Sequence, residues 1–272
     1  MEISYIPIAP SAPHTHTIVF LHGRGDNPKQ FATSLAYWRD SRSRTLAEAF
    51  PSFRWVFPQA PLRKCASSPD TWPQWFDVWN VRDFAENEEL QAVGLREVVP
   101  AIRRILANEA ERLGGRWDRI ILAGISMGAA TGVHTLFNLN IPASGGGRLA
   151  AFMGFSCRCP FAGRTLAEMR RILDLEGVPD HADVLRNTPI LLEHCVDDPL
   201  VTIHNGRRLR DILREFGAQV EWKEYPSGGH WFNSPLGMDD AVDFLNRNVV
   251  ARANAESQAT QRDASSDAMD TS

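Results

Sequence analysis

The sequence predicts an α/β fold, a mainly parallel sheet with helices on both faces, and three observations carry that prediction. Short apolar runs of strand character alternate with stretches of helical period through most of the chain. One such run, Ile120-Ile121-Leu122-Ala123, passes directly through Gly124-Ile125-Ser126-Met127-Gly128 into small residues able to start a helix. The loops rich in Gly, Asp and His each follow a strand-like run, as ligand-binding loops do at the carboxyl ends of parallel strands.

Taken in order, Thr17 to Leu21 is a β-branched apolar run read as a buried strand, followed by the glycine-bracketed loop His22 to Asn27. Gln30 to Phe50 is broken helical material, Phe53 to Pro58 the next strand, and Pro61 to Trp79 a loop rich in Pro and Trp. Glu86 to Leu113 has one apolar stripe at helical spacing, which Pro100 should kink or split and Gly114-Gly115 stops. Asp118 to Ala123 is the strand before the serine and Ala129 to Leu139 the helix after it. Ser144 to Gly147 reads as a flexible connection, Leu149 to Phe155 as a strand and Thr165 to Leu175 as a short amphipathic helix. Pro189 to His194 is a strand that runs into Cys195-Val196-Asp197-Asp198-Pro199. Asn205 to Phe216 is a helix closed by Gly217, Val220 to Tyr225 the last strand, and Asp239 to Val250 the last helix. One domain over 1–252 is expected, with 253–272, almost devoid of residues to bury, a disordered tail.

Composition narrows the function classes. With 272 residues and 43% hydrophobic content the chain can bury one sizeable core. Its net charge is -4 with no basic block, which argues against nucleic acid and anionic membrane as partners. No run is long enough to cross a bilayer, and no signal peptide or lipid anchor is legible. Four cysteines in a chain of this length do not look like a secreted disulfide framework, so a soluble cytoplasmic protein is expected.

Gly-x-Ser-x-Gly between strand and helix is a nucleophile elbow, the sharp turn that lifts a serine from the edge of an α/β-hydrolase sheet. Gly124 and Gly128 leave room for strand and helix to pass close by, and the helix N-terminus points free N–H groups at the reacting oxygen. A serine hydroxyl needs a base, and the base needs an orienting acid. Chain order in this fold is serine, acid, histidine, which leaves His134, His181, His194, His204 and His230. His134 lies in the elbow helix and His194 in a strand before the acid loop. His230 follows the last strand in a Gly-Gly loop able to swing towards Ser126, and is the expected base. The acid is Asp197 or Asp198, which spacing barely separates. The oxyanion donors expected are the backbone N–H groups of Met127 and of the early loop at Arg24. His22 reads as a group that braces that loop.

Leu21-His22-Gly23-Arg24-Gly25-Asp26, Gly124-Ile125-Ser126-Met127-Gly128, Asp198-Pro199-Leu200-Val201 and Trp75-Phe76-Asp77 keep one order and spacing over roughly Thr17 to Val249. In that pattern the chain resembles the acyl-protein thioesterase and lysophospholipase-like carboxylesterase family. The resemblance implies an α/β-hydrolase that cleaves acyl thioesters or esters without metal or organic cofactor, and a lipidated protein among its conceivable substrates. It also implies that Asp198, before Pro-Leu-Val, is the acid. The chain departs from the pattern at Met127, where the family usually has Gln, and at Ala129, where Gly is common. Residues Gly163 to Arg186 look longer than the family pattern and leave room for a lid.

Trp72, Trp75 and Trp79 sit among prolines, read either as walls of an acyl channel or as core packing, the commoner place for large aromatics. Trp75 and Phe76 are the candidates for substrate contact. Cys157-Arg158-Cys159 lacks a second Cys or His pair at zinc spacing and reads as structural or as a substrate loop. Two rivals stand beside a thioesterase: a carboxylesterase or lysophospholipase acting on small esters, and a hydrolase-fold binding module that has lost catalysis.

Overall fold

The computed structural model describes residues 1–256 and 258. Among these the order is β1 (Tyr5–Ile8), β2 (His16–Leu21), α1 (Pro28–Ser34), α2 (Leu46–Ala49), β3 (Phe53–Pro58), β4 (Leu62–Lys64), β5 (Thr71–Pro73) and α3 (Glu89–Glu111). Then come β6 (Ile120–Ile125), α4 (Met127–Phe137), β7 (Ala151–Phe155), α5 (Leu166–Leu173), α6 (Asp183–Asn187) and β8 (Ile190–Cys195). α7 (Ile203–Glu215), β9 (Val220–Tyr225) and α8 (Leu236–Leu245) complete the order.

Seven strands form one sheet in the order β1-β3-β2-β6-β7-β8-β9. All neighbours are parallel except β1 and β3. The α/β-hydrolase architecture expected is therefore present. Alternation along each strand divides the core. Val19, Leu21, Leu122 and Phe152 point to one face, under α3, α4 and α7. Ile18, Phe20, Ile121 and Met153 point to the other, with Phe31, Leu46 and Phe244 from α1, α2 and α8. Burial on both faces explains why these strands read as unbroken apolar runs.

Four expectations change. Pro100 does not split α3, which runs unbroken from Glu89 to Glu111 because Val98, Val99, Ala101 and Ile102 on either side of it are buried against the core. The Pro/Trp-rich loop holds the small antiparallel pair β4–β5. The strand before the serine starts at Ile120, because Trp117–Arg119 form a 3₁₀ turn after the two glycines. Residues 253–256, assigned to the tail, continue helical, and Glu256 is bonded to Arg116 at 2.6 Å and to Arg119 at 3.0 Å. The rest of the expected tail, apart from residue 258, lies outside the described residues. No helix among them is long and apolar enough to cross a membrane.

Candidate active site

β2 and β6 are neighbours, and after them the chain turns to opposite sides of the sheet, β3 flanking β2 and β7 flanking β6. This is the switch point at which a crevice opens. Ser126 stands there, between the end of β6 and the start of α4, at φ 55° and ψ -124°. That left-handed backbone costs about 1–3 kcal/mol and persists because its surroundings leave no alternative. The Ser126 N–H is held by Phe155 O at 2.9 Å. A Cβ on Gly128 would collide with Leu21 O, and one on Gly124 would lie 2.5 Å from Ala129 N. Helix and strand pass at distances only glycine allows.

His230 reaches the serine from the loop after β9, three strands away in the sheet. Its Nε2 is 2.8 Å from Ser126 Oγ, and its Nδ1 is 2.8 Å from Asp198 Oδ2. Three contacts draw that loop back over the sheet. Asp197 accepts the Gly229 N–H at 2.8 Å and the Gly228 N–H at 3.3 Å. Ser156, just past β7, donates its hydroxyl to Trp231 O at 3.3 Å. Gly228, at φ 143°, packs on Cys195, whose Sγ lies 2.5 Å from where a Cβ would stand.

Asp198 is buried. Its Oδ1 accepts the N–H groups of Leu200 and Val201, each at 2.9 Å. Its Oδ2 also lies 3.3 Å from Nε2 of His194, which is 2.7 Å from Val201 O. Burial alone would push its carboxyl up. The hydrogen bonds from His194, His230 and the backbone outweigh this and hold it well below the usual carboxylate range. The two adjacent acids thus part company, Asp198 towards the imidazole and Asp197 towards the backbone of the loop that carries it.

On the other side of the serine, Met127 is the first residue of α4, so its N–H has no intrahelical acceptor. The loop after β2 is tied down by Gly25 N to Pro73 O at 2.8 Å and Asp26 N to Gly23 O at 3.4 Å. The Arg24 N–H makes no hydrogen bond within the described residues. His22 braces this loop as expected, with Nε2 accepting the Ala60 N–H at 3.1 Å and Nδ1 2.7 Å from Gly23 O. Trp75 donates its indole N–H to His22 O at 2.8 Å.

A cavity of about 340 Å³ opens at Ser126 and His230, walled by Val78, Val81, Phe84, Met127, Leu200 and Trp231. Trp75 and Phe76 do not line it. Both are fully buried, Trp75 beneath the Arg24 loop and Phe76 behind Arg158, so their assignment to substrate contact is corrected to support of the wall. Sequence reasoning missed the lining residues Leu200 and Trp231, although Leu200 lies two residues past Asp198 and Trp231 directly follows His230. No residue of 163–186 lines the cavity. α5 packs beside α3 and α4 instead, through Arg96 to Ile172 O and Arg170 to Phe137 O.

The model of the phospholipase/carboxylesterase family matches residues 4–249. The chain belongs to that family. Among its relatives is acyl-protein thioesterase 1 of Neurospora crassa, 28% identical over 92% of this chain and 94% of the relative. A protein of Oryza sativa subsp. japonica described as a probable inactive carboxylesterase is 30% identical over 82% of this chain and 81% of its own. The crystal structure of Zea mays acyl-protein thioesterase 2 superposes with a TM-score of 0.68 at 25% identity, covering 90% of this chain and 99% of that one. The family and the α/β-hydrolase fold thus agree with the resemblance and the fold class expected from the sequence.

Proposed function

We propose that this member of the phospholipase/carboxylesterase family is a serine hydrolase that cleaves acyl thioesters or esters through an acyl-enzyme. The observation that carries the reading is His230, bonded at 2.8 Å to Ser126 on one side and to Asp198 on the other. His230 takes the Ser126 proton as Oγ attacks the carbonyl carbon. The N–H groups of Arg24 and Met127 hold the oxyanion, each contributing about 3–4 kcal/mol to the transition state. His230 then gives its proton to the leaving thiol or alcohol. Water enters, His230 takes its proton, and the acid is released with Ser126 restored. Asp198 keeps the ring in the required tautomer and stabilises the imidazolium.

Acyl-protein thioesterase relatives support a thioester on a lipidated protein as one substrate, and the apolar cavity walls suit an acyl chain. The four cysteines are unpaired, which supports residence in the cytoplasm. Burial pushes the Cys195 thiol up to about 11, so it is not a competing nucleophile beside the histidine loop.

The rice relative's description favours a second reading, a binding module without turnover. A fluorophosphonate probe separates the two. The hydrolase reading expects covalent labelling that maps to Ser126 and disappears in Ser126→Ala, whereas folded protein that takes up no probe supports the module. A panel of acyl thioesters and esters of graded chain length then distinguishes a thioesterase from a small-ester carboxylesterase.

A further inference from the structure

Arg158 is a cation in the protein interior without a carboxylate beside it. It lies three residues beyond β7, whose last residue, Phe155, accepts the Ser126 N–H, so the loop that carries it borders the elbow. The residue is 6% exposed. Its Nη2 donates to Gln91 Oε1 at 2.8 Å, and the guanidinium lies 3.9 Å over the Phe84 ring and 5.7 Å from that of Phe76. Among the described residues no Asp or Glu pairs with it. Glu88, whose field acts on it, is bonded to Arg164 at 3.0 Å. The flanking thiols offer no counter-charge, since burial pushes Cys157 and Cys159 up and each sulfur is turned to a backbone carbonyl.

Burial lowers the Arg158 guanidinium to about 10, which leaves it charged at neutral pH. A charge buried without a partner is costly, and two aromatic faces and one amide compensate only in part. Its Nε and Nη1 donate to no acceptor among the described residues, and the side chain lines the same cavity as Ser126 and His230. The cavity's other fixed charges are engaged elsewhere. Arg24 directs Nε to Gln74 at 2.8 Å and Nη2 to Cys65 at 3.1 Å, while Asp26 accepts the Asn27 N–H at 2.7 Å.

We propose that Arg158 is a specificity-determining residue that receives an anionic group of the substrate, such as a carboxylate, while the scissile carbonyl lies at Ser126. The planar fork matches a carboxylate through two parallel N–H donors, and the low-dielectric wall strengthens the pair. The proposal rests on the hydrolase reading of Ser126. It adds a substrate class to it: acyl esters or thioesters that carry a negative charge within reach of the reacting carbonyl, on the acyl chain or on the leaving group.

Two matched pairs of probes distinguish those positions. p-Nitrophenyl hydrogen adipate is compared with p-nitrophenyl hexanoate, which has a methyl in place of the terminal carboxylate. The hexanoyl ester of 4-hydroxybenzoate is compared with that of 4-hydroxybenzamide, which moves the charge to the leaving group. The readout is the ratio of kcat/KM for the anionic and neutral members. Wild-type protein is expected to favour the anionic member of at least one pair. That ratio should fall by about tenfold or more in Arg158→Gln, mostly through KM, and recover in part in Arg158→Lys. Equal ratios in wild type and Arg158→Gln for both pairs overturn the proposal, as does a wild type with no anionic preference if the Gln variant does not fold. Calorimetric binding of the adipate ester to Ser126→Ala, with and without Arg158→Gln, reads the contact without turnover. If wild type hydrolyses neither pair, the serine reading fails. Loss of binding with Arg158 would then still support the anion site, and unchanged binding would overturn it.

Discussion

A carboxylate that accepts hydrogen bonds from one imidazole and two backbone amides, with a second imidazole 3.3 Å away, is held ionised even inside a protein, and this is the situation of Asp198. Because its folded pKa lies below its unfolded one, its contribution to stability is present above the ordinary carboxylate range. It is lost as pH falls through that range and below. Asp198→Asn should therefore flatten the acid limb of a melting curve measured against pH. It should also lower kcat by about 10⁴-fold, because an amide facing Nδ1 selects the wrong tautomer. Asp197→Ala leaves the triad atoms intact but frees the Gly228 and Gly229 N–H groups that hold the histidine loop. We expect kcat to fall roughly 10- to 100-fold, with KM little changed, in a steady-state assay. Trp75→Phe leaves the His22 carbonyl without its buried donor. It should cost about 1–3 kcal/mol in urea unfolding and lower kcat, without altering chain-length preference, as a bracing residue should. Spacing alone left Asp197 and Asp198 open, and only the resemblance chose Asp198, because position along a strand end does not say where either side chain points. The arrival of the β9 loop, a long-range event, separates them.

β8 carries an ionisable group that the reaction does not use. Glu193 is buried, and neither carboxylate oxygen has a hydrogen-bond partner within the described residues. Burial first, and then the field of Asp240, raise its pKa well above the usual value, against the opposing pull of Lys223. The folded state then holds a proton that the unfolded chain has released, so stability falls as pH rises from the unfolded carboxylate range towards the raised folded value. Glu193→Gln, neutral at every pH, should remove a slope of at most about 1.4 kcal/mol per pH unit. Chemical unfolding of both proteins between about pH 5 and pH 9 measures it, and parallel curves would contradict the assignment. At the elbow, Gly128→Ala forces a methyl against the end of β2. About 1–3 kcal/mol or more of stability should be lost, with activity reduced alongside. Elements with a strong period or double-sided burial, such as α3 and β6, were legible because local pattern and final environment agree. β1 was not. Ile6 and Ile8 are exposed, and the strand exists only because the distant β3 pairs with it. The β4–β5 pair, three residues to a strand, was too short to register as a period.

At the scale of the molecule, groups far apart in sequence meet because β2, β6, β7, β8 and β9 are contiguous and parallel, so their carboxyl ends form one rim. That arrangement was readable from the alternation of elements and the chain order of serine, acid and histidine. The pocket walls were less so, since Val78, Val81 and Phe84 come from a stretch with no regular element and Arg158 from the irregular segment after β7. The body over 1–252 should act without the C-terminal segment. Deleting residues 253–272 removes the Glu256 pairs with Arg116 and Arg119, contacts at the surface worth about 1 kcal/mol or less each. Activity should be retained and melting lowered by only a few degrees, as a thermal melt of the shortened chain would show. The central claim is that Ser126 carries the acyl group during turnover, and acid-quenched mass spectrometry tests it most directly. Protein mixed with an acyl thioester and quenched within a turnover should gain the acyl mass on the peptide containing Ser126, and Ser126→Ala should lose about 10⁶ in kcat. Turnover that leaves no acyl mass on that peptide and persists undiminished in Ser126→Ala would contradict the account.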